Sequence, residues 1–478
     1  MWGLAGPQRP WIGGNGVSAV GLARLQFAST SIYHFLFVPL TIGLAFLTAL
    51  LQTSWHRNGR SEYLRLTRFF GTLLVINVAV GVVTGLVQEF QFGMNWSVYS
   101  RFVGDVFGAP LAMEGLAAFF LEATFLGLWL FGWNRLPRRV HLATIWLVAL
   151  GAALSAAFIM SANSWMQHPV GFKVNPATGR AQLTSIWAVL SNPVFLWGYL
   201  HVLLAAAVTG GTVMLAVSAW HLLRGRSADL FAGSARLSLV VLIPATVLIV
   251  FVGSELGVIE ARYQPMKIAA AEAQWKTCQP CSFSVFQVGG GKRDQTPTKI
   301  IQIPHVLSVL ATNHWNGKVT GLNDLQAQYL KRFGPNFYVP NVFVQYWSMR
   351  VMAYLAVVLA LLSVWGGWLM RRHTLATSKW FLRAAVWAVP LPFLLNTAGW
   401  LLTENGRQPW IVQGLQLTKA ARSPSVSLTT IAISFGVFVA LYGVLAIVDL
   451  ILMTRFARRE IAPETAEESS TEVPEMSY

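Results

Sequence analysis

The chain has 478 residues, 55% of them hydrophobic and 11% charged, with 20 Trp. Soluble globular proteins carry about 25% charged residues, so the composition excludes a soluble enzyme or binding domain and indicates a polytopic membrane protein. A formal net charge of +16 would point to nucleic acid in a soluble chain. Here the basic residues cluster in short loops between apolar runs, where they act as topology signals, and nucleic acid is excluded as a partner.

Met1 to Asn15 lacks the basic stretch and short apolar core of a cleavable signal peptide. Nine apolar segments follow, at 27–51, 71–92, 107–131, 141–163, 194–222, 237–256, 344–370, 380–402 and 428–453. Each approaches or exceeds the roughly 20 residues a membrane-spanning helix needs, so the expected fold is an all-α, polytopic transmembrane bundle. Alternate loops carry the basic residues: Arg57, Arg60, Arg65 and Arg68; Arg135, Arg138 and Arg139; Arg224, Arg226 and Arg236; Arg371, Arg372 and Lys379. The positive-inside rule then places the N-terminus outside and the C-terminus inside. Residues 1–256 hold six spans, 257–343 form one long extracytoplasmic loop, 344–455 hold three spans, and 456–478 form a cytoplasmic tail. The tail after Ala462 is acidic and Ser/Glu-rich, the composition of a disordered segment. In the long loop, Gln302-Ile303-Pro304 and Trp315 indicate order, and Gly289-Gly290-Gly291-Lys292 a flexible tip.

Ionisable residues inside a bilayer are costly and mark function. His34, Glu114 and His201 each lie seven residues into their segments, counted from outside, and Met352 lies eight in. Glu89, Glu255 and Glu404 sit near the outer ends of theirs. At 1.5 Å per residue this set occupies roughly the outer 12 Å of the bilayer. Singly, each has a plainer reading: a packed His, a gap-filling Met, or a Glu404–Arg407 pair closing a helix stopped by Gly406 and Pro409. Together, His, Met and Glu at one level suit haem iron, which takes His and Met axial ligands. Glu114 and Glu122, eight apart on one helix and about 12 Å apart in depth, suit a proton relay that Ser155 could extend. Lys267 and Glu272, on a helix-forming run of the outer loop, could bind a quinol hydroxyl and take its proton; a solvated helix face is the plainer reading. Cys278 and Cys281 form a CxxC without a following His, which excludes c-type haem attachment and leaves a loop disulfide or free thiols open.

Several stretches closely resemble subunit I of the cytochrome bd quinol oxidases: Tyr33-His34-Phe-Leu-Phe-Val-Pro39, Glu89-Phe-Gln-Phe-Gly-Met-Asn-Trp96, the run from Gly104 to Gly115 that contains Glu114, Phe119-Phe-Leu-Glu122, Trp165-Met-Gln167 and Gly406-Arg-Gln-Pro-Trp410. The resemblance runs from about residue 20 to 455. It implies that His201 and Met352 are axial ligands of a low-spin haem b supported by Arg350. It implies His34 as ligand of haem d and Glu404 as ligand of a high-spin haem b, with Arg407 beside it and Trp400 between redox centres; which high-spin haem His34 takes and which Glu404 takes has been assigned differently within the family. Glu114 would lie beside haem d, Glu122 and Ser155 on the proton path, and Lys267 and Glu272 at the quinol. The implied activity is oxidation of ubiquinol or menaquinol with reduction of dioxygen, in the bacterial plasma membrane, with a large subunit II, possible small single-span subunits and membrane lipid as partners. The segment after Ile303-Pro304 is short, as in the short-loop branch. Two competing classes remain, a transporter without redox chemistry and a haem b electron carrier that does not reduce oxygen.

Overall fold

The computed structural model describes residues 18–291 and 295–461. The stretch from Met1 to Asn15, Lys292 of the glycine-rich tip, and the acidic tail after Ala462 lie outside the described residues. The helices, in chain order, are α1 (Ala19–Asn58), α2 (Ser61–Met94), α3 (Ser97–Met113), α4 (Phe120–Phe131), α5 (Arg138–Gln167), α6 (Ile186–Leu190), α7 (Pro193–Leu223), α8 (Ala228–Tyr263), α9 (Pro265–Ala271), α10 (Val306–Thr312), α11 (Leu322–Phe333), α12 (Val342–Arg371), α13 (Lys379–Trp387), α14 (Pro390–Arg407), α15 (Thr418–Ala421) and α16 (Leu428–Ala457). Among the described residues, 9 helical spans are long and apolar enough to cross a membrane, and they coincide with the nine apolar segments. Three two-stranded antiparallel hairpins lie between them: β1–β2 (Phe172–Val174, Ala181–Leu183), β3–β4 (Phe283–Val288, Thr298–Ile303) and β5–β6 (Trp410–Val412, Gln416–Leu417).

The helices overrun the apolar segments, and several start or stop at capping residues. Ser18 Oγ accepts the Gly21 N–H at 3.0 Å at the start of α1, and Gly59, in the left-handed region at φ 66°, ends it. Asn192, Asn341 and Ser427 cap α7, α12 and α16 in the same way. The α7 span is 72% buried within the chain and the α16 span 11%, so α7 is the central helix and α16 lies at the edge. α1 and α7 cross backbone to backbone: a Cβ on Gly43 would stand 2.2 Å from the Ala206 carbonyl oxygen. Close approach through small residues is how apolar helices gain packing energy in lipid.

Two spans are interrupted. A π-helical stretch, Glu114–Phe119, joins α3 to α4, so the simple helical spacing of Glu114 and Glu122 does not hold. The wider turn absorbs an extra residue, which brings the eight-residue spacing close to two full turns and onto one face. The eighth span divides at Pro390, which begins α14 at a position where its missing N–H costs nothing. α14 then passes through Gly406 and ends at Arg407. Pro409, rather than Gly406, sets the stop: it forces Gln408 into an extended conformation (φ −62°, ψ 144°).

The long loop is a packed cap on one end of the bundle. Met266, Ala269, Ala270, Trp275, Leu322 and Leu325 are buried with Tyr338, Tyr346 and Trp410. Cys278 and Cys281 are joined by a disulfide, settling the alternative left open by the sequence.

Candidate functional site

Glu404 lies in the last turn of α14, with its carboxylate held from two sides. Asn163 Nδ2 donates to Oε1 at 2.8 Å, and Arg407 Nη2 donates to Oε2. Asn163 Oδ1 in turn accepts from Gln167 Nε2 at 2.8 Å, one turn along α5. Gln167 Oε1 accepts from Lys267 Nζ at 2.5 Å, and the same ammonium donates to Glu260 Oε1 at 2.8 Å. An unbroken chain of hydrogen bonds therefore runs from Glu404 to Lys267 and Glu260. Arg407 is 4% exposed, yet its Nε and Nη1 have no partner among the described residues. A buried guanidinium with two nitrogens unpartnered among the described residues suits an anionic group such as a haem carboxylate.

The His34 imidazole is fixed by α2. Its Nδ1 lies 2.9 Å from Thr84 Oγ1, whose own proton goes to the Gly81 carbonyl at 2.9 Å. Thr84 therefore accepts, Nδ1 carries the proton, and the Nε2 lone pair is left for a metal. A Cβ on Gly85 would come within 3.1 Å of the ring. The same device recurs at the other expected ligands. Gly253 on α8 leaves room for the His201 ring, at 3.1 Å from where its Cβ would be, and Gly399 on α14 for Met352 Sδ, at 3.2 Å. His201 Nδ1 is buried without a partner among the described residues. Three backbone-bare faces and an ammonium-free donor set of His, Met and Glu fit haem. Trp400, the residue after Gly399, stacks on Phe35, the residue after His34, with ring centroids 5.1 Å apart and planes 17° apart.

Two positions of α5 meet the acidic residues of the third span. Ser155 Oγ donates to Glu114 Oε1 at 2.7 Å. One turn earlier, Gly151 would carry its Cβ 2.9 Å from the Glu122 backbone nitrogen, so only glycine lets Glu122 lie this close to α5. The Ser155 hydroxyl is placed at Glu114 rather than between the two carboxylates.

Lys267 and Glu272 are 0% and 3% exposed, which overturns the solvated-face reading. They do not pair with each other. Lys267 joins Glu260, while Glu272 faces Arg350, whose Nη1 and Nη2 donate to its two oxygens at 3.0 and 2.7 Å. Arg350 also donates to the Ala271 and Ser284 carbonyls and stacks 3.8 Å above the Tyr346 ring. It is the rivet between α12 and the cap. Burial lowers the Lys267 pKa against the pull of Glu260, and raises that of Glu272 against the pull of Arg350.

Thr84, Asn163, Gln167 and Glu260 escape the sequence reading because none is an iron ligand or lies in a recognisable pair; only Gln167 falls within a quoted motif. At the opposite end, His141 is buried but spoken for. Its Nε2 donates to the Trp129 carbonyl at 2.8 Å, and its Nδ1 accepts from Gln52 Nε2 at 2.8 Å. Both ring nitrogens are satisfied, as in a packing histidine.

Residues 22–461 match the family described as cytochrome bd terminal oxidase subunit I. The chain is 44% identical over 435 residues to the cytochrome bd ubiquinol oxidase subunit 1 of Bacillus subtilis (strain 168), covering 90% of this chain and 92% of that one. It is 37% identical over 498 residues to the cytochrome bd-II ubiquinol oxidase subunit 1 of Escherichia coli (strain K12), covering 92% and 96%. The structure of bd oxidase from Geobacillus thermodenitrificans superposes with a TM-score of 0.83 at 31% identity, covering 93% of this chain and 99% of that chain. The protein belongs to the cytochrome bd terminal oxidase subunit I family.

Proposed function

We propose that the protein is the haem-bearing subunit of a terminal oxidase that oxidises quinol at the outer cap and reduces dioxygen to water. The observation that carries this reading is the hydrogen-bonded chain from Glu404 through Asn163 and Gln167 to Lys267, which joins the haem-ligand level to the cap. His201 and Met352 would hold a low-spin haem b, His34 and Glu404 the two high-spin haems, haem d and haem b, in either order. When bound, the haems supply one-electron transfer and an open position for dioxygen.

The chain's own residues supply positions and protons. Thr84 holds His34 in one tautomer. Arg350 holds both oxygens of Glu272, and in this reading Glu272 takes the quinol proton as base. Lys267 orients the ring oxygen. Trp400, stacked on Phe35, would lie between redox centres. Glu122, Ser155 and Glu114 move protons toward the dioxygen site. With the N-terminus outside, quinol protons leave on the outer side and protons for water enter from the cytoplasm. Each charge moved across the field is worth about 2.3 kcal/mol per 100 mV, so the reaction builds proton motive force without a pump. The partners are quinol, dioxygen, a large subunit II, small single-span subunits and lipid, in the bacterial plasma membrane. The test uses the purified multi-subunit complex in sealed vesicles. Quinol-driven oxygen uptake is expected, with external acidification equal to the quinol protons released. Acidification beyond that would disprove the non-pumping mechanism, and absence of oxygen uptake would disprove the oxidase.

A further inference from the structure

A cavity of about 170 Å3 lies between the β3–β4 hairpin and the first turns of α12. Phe286, Val288, Phe343, Tyr346 and Trp347 give it an apolar, aromatic lining, and Gln287 is its polar side chain. Phe343 and Val288 are 67% and 60% exposed, so the mouth opens at the start of a membrane-length helix, where a molecule arriving from the bilayer would meet it. Gln287 is 3% exposed, and neither its Oε1 nor its Nε2 has a partner among the described residues. Buried amides are normally hydrogen-bonded, and an unpaired one needs a physical reason.

The strand is irregular at this side chain. In a regular strand Phe286 and Gln287 would point to opposite faces. The pairing is irregular between Ser284 and Phe286 and again between Phe286 and Gln287, and both residues line the cavity. Bulges of this kind re-aim side chains beside active sites. Gln287 is the cross-strand partner of Lys299, whose Nζ donates to Gln274 Oε1 at 3.0 Å and which interacts electrostatically with Glu272. On the far wall, the Tyr346 ring carries the Arg350 guanidinium that grips Glu272. The cavity therefore adjoins the Glu272–Arg350 pair through one aromatic ring.

We propose that this cavity takes the ring of the quinol and that the Gln287 amide hydrogen-bonds one ring oxygen. The inference rests on the quinol reading above. A pocket of about 150 Å3 holds a benzene-sized ring, so the volume suits one substituted ring with its tail leaving through the apolar mouth. An amide suits both redox forms: Oε1 accepts from a quinol hydroxyl, and Nε2 donates to that hydroxyl or to a quinone carbonyl. Gln287 therefore binds substrate and product through the same side chain.

The test is Gln287→Leu in the assembled holoenzyme, with short-chain ubiquinol and menaquinol analogues. KM is expected to rise about tenfold, with kcat within about twofold and the haem spectrum unchanged; tenfold corresponds to about 1.4 kcal/mol. Inhibition by the matching quinone should weaken by a similar factor. An unchanged KM and unchanged quinone inhibition, with KM raised in Lys267→Met, would overturn the role of Gln287 and leave the quinol reading standing. No quinol oxidation by the wild-type complex would instead remove that reading. Where Gln287→Leu fails to assemble, an azidoquinone applied to wild-type holoenzyme decides: labelling within 286–290 supports the inference, and labelling only elsewhere overturns it.

Discussion

Asn163 donates to Glu404 across 2.8 Å and, through its other amide atom, accepts from Gln167, which is bonded to Lys267. The expected ligand of a high-spin haem and the expected quinol residue are thus three hydrogen bonds apart. Asn163→Leu breaks this link, removing one hydrogen bond from Glu404 while both end residues stay in place. Partners that hydrogen-bond a metal ligand are worth about 10–100-fold in affinity. Asn163→Leu should lower high-spin haem content or shift its absorbance, with low-spin haem retained. Haem extraction with a reduced-minus-oxidised spectrum checks this, and an unchanged high-spin signal would detach Glu404 from haem.

The bare faces at Gly253 and Gly399 make a sharper claim about the low-spin site. Gly253→Val and Gly399→Val each push a side chain into His201 or Met352. Loss of the low-spin haem is expected, with the high-spin haems kept. Gly127→Ala, where an added Cβ meets nothing within 4 Å, is the control and should be silent.

Glu272 gives a pH dependence with a definite sign. Burial raises its pKa, with Arg350 opposing. A base accepts a proton only when deprotonated, so kcat/KM for quinol should rise with pH through this elevated pKa and then level off. Glu272→Gln should lower the plateau and remove the rising limb. A limb retained at full height in Glu272→Gln would assign the base elsewhere. Arg350→Met leaves the carboxylate buried alone, which costs about 3–5 kcal/mol when a buried pair loses one member; a lower unfolding temperature of the cap should report it.

Glu122→Ala should slow turnover and haem-d proton uptake while the low-spin haem spectrum stays intact. Ser155→Ala removes the hydroxyl that donates to Glu114 and should act in the same direction, more weakly. Unchanged oxygen consumption in Glu122→Ala would sink the relay.

The spans were legible because a bilayer demands about 20 apolar residues per helix, and the sequence obeys that rule nine times. His34, Glu114, His201 and Met352 were legible because ionisable or ligand-type groups stand out against an apolar run. The partners of those groups were not. Asn163 and Thr84 are ordinary polar residues, meaningful only once α5 meets α14 and α1 meets α2. The π-helical stretch at Glu114 leaves no mark in composition. Lys267 and Glu272 sit on a short run that reads equally as a surface helix. Their burial follows from tertiary pairing with Glu260 and Arg350, which lie seven and 78 residues away in sequence.

If this chain holds the haems of an oxygen-reducing site, they are visible by absorbance. A reduced-minus-oxidised visible spectrum of the purified complex tests this most directly. The account predicts low-spin haem b bands together with a far-red chlorin band that shifts on exposure to dioxygen. Haem b bands alone, or no haem at all, would contradict it.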